Sequence, residues 1–221
     1  MKQFAIFDMD GTLIDSMPYW DRLATEYLGG RGIHPTKEQL APIETMTLLQ
    51  SSALFKEWFG FPESAEEIAA QMNGLIERHY REDIPLKEGA LPLLQFLQAH
   101  GVRMIVATAT DETLARACLG RLGALPFFEK LFSTETIGIS KEKPDIYLLC
   151  LEAFNTSIQP KDIAVIEDAP FSLHTAHAAG FYTIGMAEPV YADRWQEICA
   201  LTDEAYRSFT EMREKLQRRF S

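Results

Sequence analysis

Asp8 and Asp10 stand one residue apart at the end of the apolar run Phe4-Ala5-Ile6-Phe7, and Gly11-Thr12 follows them. Side chains on extended backbone alternate faces, so acids at this spacing point the same way. Such a pair suits one metal-bound nucleophile and one acid/base; a turn or cap is the plainer alternative, and the apolar run with the Gly-Thr after it disfavours that. A second acidic pair, Glu167-Asp168, ends the run Ile163-Ala164-Val165-Ile166. These acids add hard oxygen ligands of the kind Mg²⁺ takes alongside water, although strand-end acids also serve as caps. Thr108, followed by Ala109, ends the run from Val102 to Ala107. Its hydroxyl and nearby backbone N–H groups could hold an anion at a helix start, but most threonines in such places only cap. Lys141 shares a loop with Lys143, and a cation there could offset anionic charge or merely be solvated.

Each group needs an element to hold it, and the apolar runs before these groups read as parallel strands buried on both faces. Helical patterns separate them, as around Leu114, Cys118 and Leu119 and around Ile146, Leu149 and Cys150. Alternating strand and helix imply a parallel sheet, and ligands of such sheets bind at the carboxyl ends of the strands. Tyr182-Thr183-Ile184-Gly185 reads as a further strand, and 203–209 could hide a short edge strand. Residues 17–85 lack a strand pattern and read as a helical insertion. Trp20, Leu23, Ala24, Tyr27 and Leu28 form one expected stripe; Leu48, Leu49, Ala53, Leu54 and Trp58 a second; Ile68, Ala69, Met72, Leu75, Ile76 and Tyr80 a third. Ser64 and Glu67 fit a capping box. The expected architecture is therefore α/β: a Rossmann-like parallel sheet core from residues 1–16 and 86–221, with an inserted α-helical cap of residues 17–85 placed to act as a lid.

The net charge of −11 argues against a nucleic-acid partner, and no apolar run reaches membrane-spanning length. The apolar start is too short for a secretion signal. Cys118, Cys150 and Cys199 have no CxxC partner and read as reduced core thiols, which points to a cytoplasmic protein. A monomer or weak dimer is expected. His174 and His177 are three apart and could share a metal, with a surface pair the plainer reading.

Taken together, Asp8-Met9-Asp10-Gly11-Thr12, Thr108, Lys141 and Glu167-Asp168 resemble, in order and context, the four motifs of the haloacid dehalogenase superfamily of phosphohydrolases. The insertion after the first motif resembles the cap of the subfamily that includes phosphoglycolate phosphatases and β-phosphoglucomutases. This resemblance implies Mg²⁺-dependent phosphoryl transfer to Asp8 from a small phosphorylated metabolite, a sugar, polyol or small-acid phosphate, with Asp10 as acid/base. It also implies phosphate contacts from Thr108, Ala109 and Lys141, and metal ligation by Asp8, Asp10 through its carbonyl, and Asp168, with Glu167 nearby. The third motif commonly reads Lys-Pro-x-Pro-Asp; here it is Lys141-Glu142-Lys143-Pro144-Asp145, so Lys143 competes with Lys141. Trp20 stands where the mutases carry a histidine and Asp111 where they carry a lysine, which favours hydrolysis. A mutase, or a silent binding module on the same fold, is the alternative. Trp20, Arg31, His34, Glu44, Thr45 and Thr47 are the cap candidates for substrate choice.

Overall fold

The computed structural model describes residues 2–43 and 46–220. The chain divides into two compact units, Met17–Asp83 and the combination of Met1–Ser16 with Ile84–Ser221. The second crossing between them thus falls two residues earlier than the sequence pattern suggests. Ile84 is fully buried, its carbonyl accepts from Arg121 at 2.6 Å, and the Pro85 carbonyl accepts from the Asp15 N–H at 2.9 Å, so both residues belong with the sheet.

The helical unit holds α1 (Met17–Gly29), α2 (Lys37–Leu40), α3 (Leu48–Phe59) and α4 (Ala65–Glu82). Helix α1 buries Leu23, Ala24, Tyr27 and Leu28, while α4 buries Ile68, Met72, Ile76 and Tyr80. The Ser64 and Glu67 side chains each accept from the other's backbone N–H, at 3.1 and 2.8 Å, and so close the capping box. Helix α3 corrects its expected stripe: it buries Ser51, Ser52 and Phe55, whereas Leu49 and Trp58 are 48% and 40% exposed. The serine hydroxyls donate to the Leu48 carbonyl at 3.0 and 2.7 Å, which satisfies them within the helix, and the Ser52 hydroxyl also lies 3.9 Å from Met72 Sδ of α4. Periodicity counts only apolar residues and misses this. His79, buried near the end of α4, lies between Glu26 at 2.7 Å and Asp83 at 2.6 Å.

The other unit is built on six parallel strands: β1 (Phe4–Phe7), β2 (Arg103–Thr108), β3 (Lys130–Ser133), β4 (Ile163–Glu167), β5 (Tyr182–Met186) and β6 (Glu204–Tyr206). Their order is β3-β2-β1-β4-β5-β6, so the chain grows outward from β1 one way and returns to grow the other way from β4. The crevice between β1 and β4 is the topological switch point, where the sheet opens to a ligand. The helices are α5 (Ala90–Ala99), α6 (Glu112–Arg121), α7 (Thr134–Ile137), α8 (Asp145–Ala153), α9 (Pro170–Ala178), α10 (Trp195–Leu201) and α11 (Phe209–Phe220). One sheet face, with Ile6, Ile105 and Val165, packs against Ile146 and Cys150 of α8 and Ala176 of α9. The opposite face, with Ala5, Ala164 and Ile184, looks toward Leu97 of α5 and Met212 and Leu216 of α11. Cys118 and Cys150 are buried thiols as read, but Cys199 is exposed on α10, because Ile198 beside it takes the inward position. No helix among the described residues is long and apolar enough to cross a membrane.

Candidate active site

The β1 ladder continues one residue past its strand: the Asp8 N–H donates to the Ile166 carbonyl at 3.0 Å. That bond holds Asp8 beside the tip of β4, with Glu167 and Asp168 one step further along. Lys141, 6% exposed, enters from the loop before α8 and pairs with Asp8 Oδ1 and, at 2.8 Å, with Glu167 Oε1. Lys143 is exposed, so the geometry separates the two lysines that the sequence leaves in competition. The other oxygen of Glu167 accepts from the N–H groups of Asp168 and Ala169, both at 3.0 Å. Both Glu167 oxygens are therefore engaged in holding Lys141 and the turn after β4.

Asp168 is positioned by the buried Thr12, whose hydroxyl donates to Oδ1 at 2.8 Å. Gly11 makes this approach possible. Its φ is +79°, and a Cβ there would lie 2.5 Å from Asp168 Oδ2. Across the crevice, Thr108 at the tip of β2 is fully buried; its hydroxyl lies 3.4 Å from Asp10 Oδ2 and accepts the Thr110 N–H at 3.1 Å. The Thr110 hydroxyl donates to the same Asp10 oxygen at 2.6 Å. Ala109, exposed between them, has its backbone in a bend. Helix α6 is capped by Asp111, which accepts from the Leu114 N–H at 3.1 Å, while the Thr110 hydroxyl beside it holds Asp10.

Three carboxylates, those of Asp8, Glu167 and Asp168, offer oxygens that all lie within 4.8 Å of one another. Burial, followed by the charge of Glu167, pushes the Asp8 carboxyl up to about 7 against the pull of Lys141. Burial and the neighbouring charges of Glu167 and Asp8 likewise raise Asp168 well above the usual carboxylate range. Burial works against charge on Lys141, yet Asp8 and Glu167 hold it protonated well above an ordinary lysine. One cation facing three acids leaves an excess of negative charge in a desolvated crevice. Asp8 Oδ2 is buried without a hydrogen-bond partner among the described residues. An orphaned carboxylate oxygen within a cluster of hard oxygen donors fits a divalent cation such as Mg²⁺.

Thr12 and Thr110 carry no local signal for these roles, because their partners Asp168 and Asp10 lie about a hundred or more positions away in the chain. Tyr191, in the segment 189–194, belongs to no motif in the sequence. Burial first, then the charges of Asp168, Glu167 and Asp8, raise its phenol above its ordinary value, so it borders the same cluster. In the helical unit, Trp20 is 39% exposed and its indole N–H donates to the Tyr80 hydroxyl at 3.1 Å. Thr47 is the N-cap of α3, and its hydroxyl accepts the Gln50 N–H at 3.3 Å. Arg31 is held by Glu63 at 2.7 Å and Gln71 at 2.6 Å. Glu44 and Thr45 lie outside the described residues.

The model of the haloacid dehalogenase-like hydrolases matches residues 3–180, and the chain belongs to that family. Hexitol phosphatase A of Escherichia coli is 31% identical over 195 residues, which is 87% of each protein. The fructose-1-phosphate phosphatase of the same organism is 27% identical over 79% of this chain and 91% of its own length. Among solved structures, a candidate β-phosphoglucomutase from Thermotoga maritima matches with a TM-score of 0.85 over 98% of this chain and 99% of that one; at 22% identity, it speaks for the fold.

Proposed function

We propose that the chain is a phosphoric monoester hydrolase acting on a small sugar or polyol phosphate. The observation that carries this reading is the strand-tip Asp8, buried with one oxygen on Lys141 and the other unpartnered among the described residues, at the mouth of the switch point. The substrate class follows the relatives, a hexitol phosphatase and a fructose-1-phosphate phosphatase.

In this reading an Asp8 oxygen attacks phosphorus, a P–O bond forms on the carboxylate, and the ester P–O bond breaks. Asp10, held by the Thr110 and Thr108 hydroxyls, gives its proton to the departing oxygen and then removes one from the water that hydrolyses the aspartyl phosphate. Lys141, Thr108 and the backbone after Thr108, including Ala109, stabilise the transferring phosphoryl oxygens. Asp8, Asp168 and the Asp10 carbonyl would hold Mg²⁺, with Glu167 behind them. The bound ion would offset repulsion between carboxylate and phosphate. Substrate choice is assigned to the helical unit, with Trp20 as its first residue to test, because the hydroxyl of Thr47 is already engaged in its helix cap.

The test is phosphate release from p-nitrophenyl phosphate and from a panel of hexose and hexitol phosphates, with Mg²⁺ and with a chelator. Metal-dependent release that Asp8→Asn abolishes is expected. Turnover persisting in Asp8→Asn would remove the covalent step, and folded protein without activity across the panel would favour a binding module.

A further inference from the structure

The sheet face turned toward α11 holds a cavity of about 320 Å³, within the range of small-molecule sites. Its origin is legible in the strand register. Ala5 on β1 pairs with Ala164 on β4, which pairs with Tyr182 on β5, so two of the smallest side chains lie side by side. One pleat further on, the same face carries Phe7, Ile166 and Ile184, and the two isoleucines continue the cavity's sheet wall. Leu97 from α5 and Met212 and Leu216 from α11 complete the apolar walls. Interiors are close-packed, and an empty cavity lowers stability in proportion to its volume. Side chains alternate faces along a strand, which turns Asp8 away from the face of Ala5 and Phe7, and Asp8, Lys141, Glu167 and Asp168 are not among the residues lining this cavity, so it is separate from the carboxylate crevice.

The rim is polar and unevenly charged. Glu204 is its anion, and it is already engaged: the Tyr182 hydroxyl donates at 2.6 Å, the Arg219 guanidinium at 2.9 and 3.0 Å, and the Tyr206 hydroxyl also donates. Lys215 stands 3.4 Å from the same carboxylate. Lys2 lies 4.6 Å from the Tyr182 ring centroid, facing the rim with its ammonium. Cations therefore outnumber the lining anion, and that anion has its acceptors filled.

We propose that this cavity binds a small amphiphile with an anionic head, its chain over Ala5 and Ala164 and its head beside Lys2 and Arg219. At about 30 Å³ per water-sized group, the space takes about ten non-hydrogen atoms, the size of a medium-chain carboxylate. Octanoate is the probe. It raises the melting temperature of the full chain in a concentration-dependent way and binds with a negative heat-capacity change. Octanol and octylamine, which match the chain but not the charge, bind about tenfold or more weakly, the loss of one charge-assisted contact. Ala164→Leu fills the cavity and removes the octanoate response while phosphate release is unchanged. Lys2→Glu, a surface change that does not threaten folding, reverses the preference between octanoate and octylamine. The proposal falls if octanoate gives no shift, if Ala164→Leu leaves the shift intact, or if Lys2→Glu leaves the preference unaltered; should Ala164→Leu not fold, the Lys2→Glu arm decides.

Discussion

Carboxylates stand at two places on one sheet, the central β1–β4 tips and the edge strand β6, and they titrate in opposite directions. At the β1–β4 tips, Asp8 is pushed up to about 7 by burial and by Glu167. At the rim beside α11, burial also works against the charge on Glu204, but Arg219 and the hydroxyls of Tyr182 and Tyr206 hold it down at about 2. The difference is in the donors. Glu204 has at least as many donors as it can use, and it is complete as folded. Asp8, Glu167 and Asp168 share one lysine, and Asp8 Oδ2 has no partner among the described residues. Buried charge left uncompensated is costly, so a fold that keeps such a cluster at a ligand-binding switch point is built to receive a cation, a substrate or both.

The sharpest way to break this comparison is to remove the lysine. Lys141→Ala takes away the cluster's own cation, and kcat is expected to fall about 10²–10³-fold, the usual loss for one group stabilising developing charge. Lys143→Ala, at an exposed position one loop step away, should leave steady-state phosphate release near wild type. Equal losses in the two variants would mean that Lys141 acts only through the loop. Glu204→Ala is the matching change on the edge strand. It leaves Arg219 and two tyrosine hydroxyls without their acceptor and should cost about 1–3 kcal/mol in denaturant unfolding, with turnover unchanged.

That asymmetry also governed what the sequence disclosed. Asp8, Asp10, Thr108, Lys141 and Asp168 stand at the ends of apolar runs or in short motifs, where local pattern and chemistry coincide. Strands β1, β2, β4 and β5 follow from the same runs, whereas the edge strand within 203–209 is only a possibility in the sequence. Glu204 offered no such signal: its strand is three residues long, and its partners come from 2 to 22 positions away on β5, β6 and α11. The inward face of α3 differs from its apolar stripe because two serines that satisfy themselves on the Leu48 carbonyl look polar in a sequence and behave as small core residues in the fold. Thr110 and Asp111 are both competent caps, and only the position of Asp10 decides between them.

A cation should act on one cluster and not on the other, and pH provides the readout. The folded pKa of Asp8, about 7, lies above its unfolded value of 3.8, and Asp168 shifts the same way. Without metal, the stability this contributes is fully present below the unfolded value and is lost as pH rises through about 7. Mg²⁺ binds the ionised form, so the gain in melting temperature from saturating Mg²⁺ should be larger at pH 8 than at pH 6. An equal gain at both values would place the ion elsewhere.

Glu204 gives the smallest effect and the opposite sign. Its folded pKa of about 2 lies below the unfolded 4.5, so its contribution is present above about pH 4.5 and is lost as pH falls toward 2. The stability difference between wild type and Glu204→Gln should therefore shrink over that acid window, measured by urea unfolding at successive pH values without metal. Added Mg²⁺ should leave that difference unchanged at every pH, because the carboxylate already has its donors. A constant difference down to pH 2 would show that Glu204 contributes shape and not charge, and the contrast between a completed and an uncompleted cluster would then rest on the β1–β4 tips alone.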